Sequence, residues 1–391
     1  MAKKICVITG TRAEYGLLRP LMIKLRNDKE LELETVVTGM HLSPEFGLTY
    51  RELETDGFEI TERNEMLLSS DTPNGIAKST GLGMIGFADI FTRMRPDIVV
   101  LLGDRYETLA AAVAAMLHKI PIAHIHGGEL TEGAVDDSVR HSITKMSALH
   151  FTATEQYRNR VIQLGEQPER VFCVGALGVE NIETLQLLTK AELEDSICFK
   201  LDTPYLVVTF HPVTLESHTA ESQFQTLLDA LDRFRNYHMI FTKANADADG
   251  RIINRKIDEF VGRNQNRMLG ITSLGMLRYL SALKYCEMVI GNSSSGLLEA
   301  PSFHIPTVNI GERQRGRVRG RSVIDCGNGE EEIVEAIRAA ERMAASGELV
   351  SIENPYAGIN TSDTILKRIK EYLSNDCGTK KEFYDINLER E

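Results

Sequence analysis

The chain has 391 residues, room for two or three domains at roughly 150 residues each, and its 42% hydrophobic and 26% charged residues are those of a folded protein with a sizeable core. A formal net charge of -12 excludes a general nucleic-acid binder, which needs a basic surface, but leaves room for a locally positive cleft that takes a small anion. No apolar run approaches the about 18 residues of a membrane span, Met-Ala-Lys-Lys enters a strand pattern without a signal-peptide core, and the six cysteines are scattered without a C-x-x-C pair, so a cytoplasmic protein with reduced thiols is expected.

Strand, loop and helix then alternate along the chain. Lys4 to Thr9 is a short apolar run with β-branched residues, followed by Gly10-Thr11-Arg12 and a helical pattern through Leu17, Leu18, Leu21, Met22 and Leu25. Leu33 to Thr38 is the next strand. Asp97 to Leu102 is a fully buried type of strand, introduced by Pro96 and ended by Gly103-Asp104-Arg105 before an Ala-rich helix from about Tyr106. Ile122 to Ile125, a helix from about Asp136 to Ser147, and strands near Leu149–Thr152 and Val171–Val174 complete the first half. In the second half the strands are Tyr205–Phe210, Met239–Thr242, Glu287–Ile290 and Pro306–Ile310. Between the halves Thr189-Lys190-Ala191-Glu192 forms a capping-box pattern that starts a short helix. A last amphipathic helix starts near Ser362, with Ile365, Leu366, Ile369, Tyr372 and Leu373 at helical spacing. Buried strands alternating with helices predict parallel sheets covered on both faces. The expected architecture is α/β, with two Rossmann-like domains and a cleft between them. Residues 1–178 form the first domain and 179–361 the second, and 362–391 are a C-terminal helix and tail packing back on the first domain.

In such sheets ligands bind beyond the carboxyl ends of the strands, so the loops just after strands carry the chemistry. Gly81-Leu82-Gly83-Met84-Ile85-Gly86 matches G-x-G-x-x-G literally, but a polar stretch rather than a strand leads into it. It is read as close helix packing, not as a nicotinamide or flavin site. Gly291-Asn292-Ser293-Ser294-Ser295-Gly296 follows a strand and precedes Leu297-Leu298-Glu299. Its free backbone N–H groups and serine hydroxyls suit a phosphate, and Glu299, placed in the first helical turn, suits a ribose hydroxyl. Five arginines at every second position, Arg313 to Arg321, form the basic cluster, and Arg313 lies nearest a strand end. Arginine meets phosphate oxygens with two bonds at once, so Arg313 is assigned to a pyrophosphate. Arg12 points from the first loop toward the cleft. His124 and His126 share a strand face as metal ligands do, but no third ligand stands at a recognisable spacing, so acid–base use of His126 or Glu129 is favoured and no metal is assigned. Asp104 is either a helix N-cap or functional. Asp136 and Arg140, like Asp137 and His141, are neighbours one helical turn apart. His211 follows a strand, where a phosphate or sugar would lie.

Taken in order, Gly10-Thr11-Arg12-Ala13-Glu14-Tyr15-Gly16, Gly39-Met40-His41, Gly103-Asp104-Arg105, His124-Ile125-His126-Gly127-Gly128-Glu129, Asp136-Asp137-Ser138-Val139-Arg140-His141, His211-Pro212-Val213-Thr214, Gly291 to Gly296, Arg313-Gln314 and Asn354-Pro355-Tyr356 resemble the hydrolysing UDP-N-acetylglucosamine 2-epimerases of the sialic acid pathway. Each motif is weak alone, and the ordered set, spread over nearly the whole chain, is specific. The resemblance implies a GT-B-like fold, a UDP-sugar substrate, a homodimer or homotetramer, and no cofactor. It implies conversion of UDP-N-acetylglucosamine and water to N-acetylmannosamine and UDP through a 2-acetamidoglucal. It further implies Asp104 and Asp136 as catalytic acids, with Arg140 beside them. Arg12, Arg105, His41, His211, Asn245, Ser293, Ser294, Glu299 and Arg313 are the implied substrate contacts. The chain departs from many relatives at His126, where they carry glutamate, so either His126 or Glu129 takes that acid–base role. The sugar stays open to UDP-2,4-diacetamido-2,4,6-trideoxyglucose of the legionaminic acid pathway. A GT-B glycosyltransferase is the alternative from the same fold, and a non-catalytic sugar-nucleotide sensor the alternative from another class.

Overall fold

Short β-branched runs with no polar face can only be covered on both sides, and they do form parallel sheets here. The computed structural model describes residues 2–68, 70, 72–131, 135–212, 219–244, 250–375 and 378–386. Its contacts divide the chain into two units: one of residues 1–129, 136–181 and 358–391, the other of 130–135 and 182–357.

The first unit contains β1 (Lys3–Thr9), β2 (Leu31–Thr38), β3 (Glu62–Asn64), β4 (Ile98–Leu102), β5 (Ile122–Ile125), β6 (Leu149–Thr152) and β7 (Val171–Cys173) in the order β3-β2-β1-β4-β5-β6-β7. Its helices are α1 (Arg12–Asn27), α2 (Tyr50–Thr55), α3 (Pro73–Met94), α4 (Tyr106–Leu117), α5 (Val135–Met146) and α6 (Glu155–Gln163). The boundary between the units falls inside α7 (Leu177–Thr184). The second unit holds β8 (Tyr205–Thr209), β9 (His238–Thr242), β10 (Met268–Ile271), β11 (Met288–Gly291), β12 (Thr307–Ile310) and β13 (Val323–Cys326), ordered β10-β9-β8-β11-β12-β13. Around them lie α8 (Lys190–Ile197), α9 (Ala220–Asp232), α10 (Gly250–Gly262), α11 (Gly275–Tyr285), the single turn α12 (Ser295–Leu298) and α13 (Glu330–Ser346). The last helix, α14 (Thr361–Ser374), belongs to the first unit. Every strand pair is parallel. The strand order reverses between β1 and β4 and between β8 and β11, so both sheets have the switch points where such folds bind ligands.

Three strands have no counterpart in the sequence pattern: β3, β10 and β13, each at a sheet edge. Glu62-Arg63-Asn64 is polar, Met268–Ile271 contains Gly270, and Val323–Cys326 has no fully buried residue. An edge strand pairs on one side only and tolerates such residues, so it leaves little periodic signal.

The Gly81–Gly86 run lies in the interior of α3, not at a strand-to-helix turn. A Cβ at Gly83 would sit 3.0 Å from Met66 Sδ and 3.2 Å from Ala110 Cβ of α4, and one at Gly86 would collide with the Asn64 amide. Close packing is therefore the reason for two of the three glycines; Gly81 faces open space. α14 packs its Ile365, Ile369 and Tyr372 into the same core as Leu18, Leu21, Met22 and Leu25 of α1. At about 1.5–3 kcal/mol per buried large aliphatic side chain, that face outweighs the few hydrogen bonds at its start. Those bonds run from Thr361 Oγ1 to Val174 O (2.6 Å) and from Ser362 Oγ to Glu180 Oε1 (2.7 Å).

Candidate active site

In the first unit the chemistry collects at the carboxyl ends of β4 and β5. Arg140 of α5 is 1% exposed, and a buried guanidinium must be paired. It forms an ion pair with Asp104, donates Nη1 to Glu129 O at 2.9 Å, and lies 3.5 Å from Asp137 Oδ1. Asp104 does not cap α4; the N-cap is Arg105. The Asp104 carboxylate is thus committed to Arg140 and remains partly exposed. Asp136 lies in the first turn of α5, partly exposed, and it is Asp137, one residue on, that pairs with Arg140 and, at 3.6 Å, with His141.

His126 follows β5 directly with φ 64, a left-handed backbone uncommon outside glycine, and its N–H is held by Phe151 O at 2.8 Å. Its Nδ1 is 3.4 Å from Glu129 Oε1. The strand end therefore turns an imidazole onto a carboxylate beside the Asp104–Arg140 pair. His124 is tied to the backbone and to α5. Its Nε2 meets Gly103 O at 2.8 Å and its Nδ1 meets Thr144 Oγ1 at 3.2 Å, and burial pushes the imidazole down to about 3. It is a neutral tie between β4, β5 and α5.

Arg12 is the first residue of α1 behind a Thr11–Glu14 capping box, and its Nη2 lies 2.5 Å from Glu52 Oε1. His41 corrects an expectation. Its ring is wholly buried, with Nε2 at 3.1 Å from Thr9 Oγ1 and Nδ1 at 2.8 Å from Thr49 Oγ1. Burial holds it neutral, down to about 3. Both nitrogens are spoken for, so His41 pins the turn after β2 rather than facing a ligand. Arg105 donates Nε to Glu107 Oε1 at 2.7 Å.

In the second unit His211, Ser293, Ser294 and Arg313 come together through a residue the sequence pattern did not single out. The Asn292 side chain takes His211 N–H on Oδ1 (2.7 Å) and donates Nδ2 to His211 O (2.8 Å). Its own carbonyl accepts Arg313 Nη1 (3.1 Å) and Gln314 Nε2 (2.8 Å). One buried asparagine thus ties the ends of β8, β11 and β12. Gly291 permits it: with φ 134, any side chain there would run into the Thr209 carbonyl. The helix after the serine loop is the single turn α12, so little macrodipole develops, and the donors on offer are backbone N–H groups and hydroxyls. Glu299 is not in a first turn, as expected, but closes α12 and leads into the next turn, Ala300–Phe303, because the helix is so short. Among the other arginines, Arg315 pairs with Glu312 and Arg319 with Asp325. Asn245 lies outside the described residues.

Two parallel Rossmann-like sheets with charged and hydroxyl groups gathered at their strand ends define a GT-B-like α/β protein. The S. aureus MnaA–UDP co-structure has the same fold, with a TM-score of 0.78 over 98% of this chain and 100% of that one at 21% identity. The sequence model of the family described as UDP-N-acetylglucosamine 2-epimerase matches residues 23–370, and the chain belongs to that family. It is 46% identical to the GDP/UDP-N,N'-diacetylbacillosamine 2-epimerase (hydrolyzing) of Campylobacter jejuni, over 83% of this chain and 84% of that protein. It is 42% identical to the polysialic acid biosynthesis protein P7 of Escherichia coli, over 98% of both.

Proposed function

We propose that the chain is a hydrolysing 2-epimerase of a UDP-activated 2-acetamido sugar, and that the sugar is UDP-N,N'-diacetylbacillosamine, that is, UDP-2,4-diacetamido-2,4,6-trideoxyglucose. The observation that carries the reaction is the gathering of His126, Glu129 and Asp104 around buried Arg140. A protein that only holds or transfers a nucleotide sugar has no use for several acid–base groups at the sugar carbons. His126 or Glu129 takes the C-2 proton as the C-1–oxygen bond breaks and its electrons leave on UDP, giving the glucal. Water oxygen then bonds to C-1 and a proton returns to C-2 from the opposite face, with Asp104 and Asp136 supplying the second acid–base step. Elimination and hydration cancel in oxidation state, so the residues need only move protons. Each positioned group contributes roughly 10²–10⁴-fold.

Arg12, Arg105, Arg313, Ser293 and Ser294 hold the pyrophosphate in this reading, with His211, Asn245 and Glu299 as further contacts to the nucleotide. Charge and N–H donors already in place stabilise the leaving diphosphate. Among the described residues no helix is long and apolar enough to cross a membrane; a cytoplasmic homodimer or homotetramer is part of the proposal. The diacetylated sugar is supported by the 46% identity to the Campylobacter jejuni enzyme. UDP-N-acetylglucosamine, giving N-acetylmannosamine for sialic acid, is the second reading, favoured by the 42% identity to the polysialic acid protein.

Proton NMR in heavy water with each UDP-sugar tests both. Release of UDP with a C-2-inverted sugar deuterated at C-2 is the expected result for the diacetamido substrate, with slower turnover of UDP-N-acetylglucosamine. The reverse preference would move the protein to the second reading. UDP release without deuterium at C-2 would overturn the elimination.

A further inference from the structure

Two glutamates that no part of this mechanism uses lie buried beneath the loop after β1. Glu14, in the first turn of α1, accepts Gly10 N–H at 2.7 Å and Thr11 N–H at 3.2 Å, both on Oε2. Glu107, in the first turn of α4, accepts Arg105 Nε on Oε1 at 2.7 Å. Both close on Gly10: Glu14 takes its N–H, and a Cβ there would lie 2.6 Å from Glu107 Cγ and 2.7 Å from its Oε1. Glu107 also lines Gly39, whose Cβ would lie 3.2 Å from the same oxygen. Glu107 is 1% exposed and Glu14 8%. The second oxygen of each, Glu14 Oε1 and Glu107 Oε2, is buried with no hydrogen-bond partner among the described residues.

An orphaned carboxylate oxygen in a dry site is costly, and two like charges there are costlier still. The Arg105 guanidinium faces the pair and balances one negative charge, not two. We propose that Glu14 keeps its proton beside the charged Glu107 and that the two act as a positioning pair: the singly charged pair fixes the Gly10–Arg12 loop through two N–H bonds and fixes Arg105 through a third. Loss of that proton leaves two charges against one arginine and loosens Arg12 and Arg105 at once, the two arginines that the reading above gives to the pyrophosphate. The charged and titratable groups packed on the pair are Glu14 from α1, Glu107 from α4, Arg105 from the β4–α4 loop, and His41 from the turn after β2. His41 donates its backbone N–H to Gly10 O at 3.1 Å and stays neutral. Burial and then the neighbouring Glu107 charge push the Glu14 carboxyl up to about 7, against the pull of Arg105 and the Gly10 and Thr11 N–H groups.

The role in the reaction rests on the function proposed above; the Glu14 proton does not. Difference infrared spectroscopy between pH 6 and 9 on the full chain, Glu14→Gln and Glu107→Gln therefore comes first. A protonated-carboxyl band that titrates away near neutral pH in the parent chain, and is absent from both variants, is expected. Binding of UDP by calorimetry over the same range is the second measurement. The parent chain should weaken as pH rises. Each glutamine variant, which keeps an oxygen acceptor but cannot make the doubly charged pair, should carry that decline roughly one pH unit higher or lose it. A merely structural pair would lower thermal stability without moving the profile. A missing band, or UDP profiles that coincide in all three proteins, overturns the proposal. Failure of turnover with intact band and profiles would instead sink the epimerase reading alone.

Discussion

Asn292 joins the ends of β8 and β11 through its side-chain amide and holds the loop after β12 through its backbone carbonyl. Only an amide both accepts from His211 N–H and donates to His211 O. Asn292→Ala leaves two buried backbone groups unpaired at roughly 1–3 kcal/mol each. UDP affinity is expected to fall about tenfold or more, some 1.4 kcal/mol per decade, with a lower melting temperature; calorimetry with and without UDP checks both. An unchanged UDP constant would mean that His211 holds its place without the amide. His126 and Glu129 divide the other open assignment. Whichever takes the C-2 proton should lose roughly 10²–10⁴-fold in kcat when changed, as His126→Ala or Glu129→Gln, with KM little altered. The left-handed backbone of His126 aims its ring at Glu129.

At the scale of elements, α3 separates a motif from its function. Gly81, Gly83 and Gly86 spell a dinucleotide fingerprint, yet they lie in mid-helix, two of them against neighbours and one against nothing. Gly81→Ala should therefore stabilise by up to about 1 kcal/mol through helix propensity alone. Gly83→Leu should destabilise by about 1–3 kcal/mol by overpacking Met66 and Ala110. Thermal denaturation of the two variants decides it, and equal effects would contradict the packing.

At the scale of the whole molecule, the first unit is built from both ends of the chain. α14 closes its core, and the tail beyond is fastened at Glu166, which meets Lys145 and Lys381 at 2.6 Å and His150 at 2.9 Å. Burial alone would raise the Glu166 carboxyl, but hydrogen bonds from His150, Lys145 and Lys381 reverse that and hold it down to about 2. A carboxyl whose folded value lies below its unfolded value of about 4.5 adds stability above that pH and loses it as pH falls toward 2. Glu166→Gln should thus lower the melting temperature at pH 7 and shrink the difference from the parent chain near pH 3. Phe383, set against Gly165 and over Lys145, should become an earlier proteolytic site in the same variant. A constant difference across that range would remove the ion cluster from the account.

How much of this was legible in the chain differs by kind. The central strands and the alternation with helices were, because burial on both faces demands continuous β-branched runs. The placement of Asp104, His126, His211 and Arg313 just after strands was too, because each follows an apolar run directly. The three edge strands were not, since one-sided pairing imposes no pattern. Asn292, Glu14 and Glu107 were passed over as well. Each acts through partners distant in sequence, Asn292 on His211, Glu14 beside Glu107, and an asparagine after glycine or a glutamate in a first helical turn reads as ordinary capping. His41 went the other way: the resemblance implied a substrate contact, and resemblance does not say that two threonines will close over the ring. The sequence by itself determined which residues must be buried and which loops must carry charge, because hydrophobic periodicity is local. Only the tertiary structure decided which charges meet, which are neutralised and which hydrogen bonds are left open, because those depend on what the fold brings within about 3 Å.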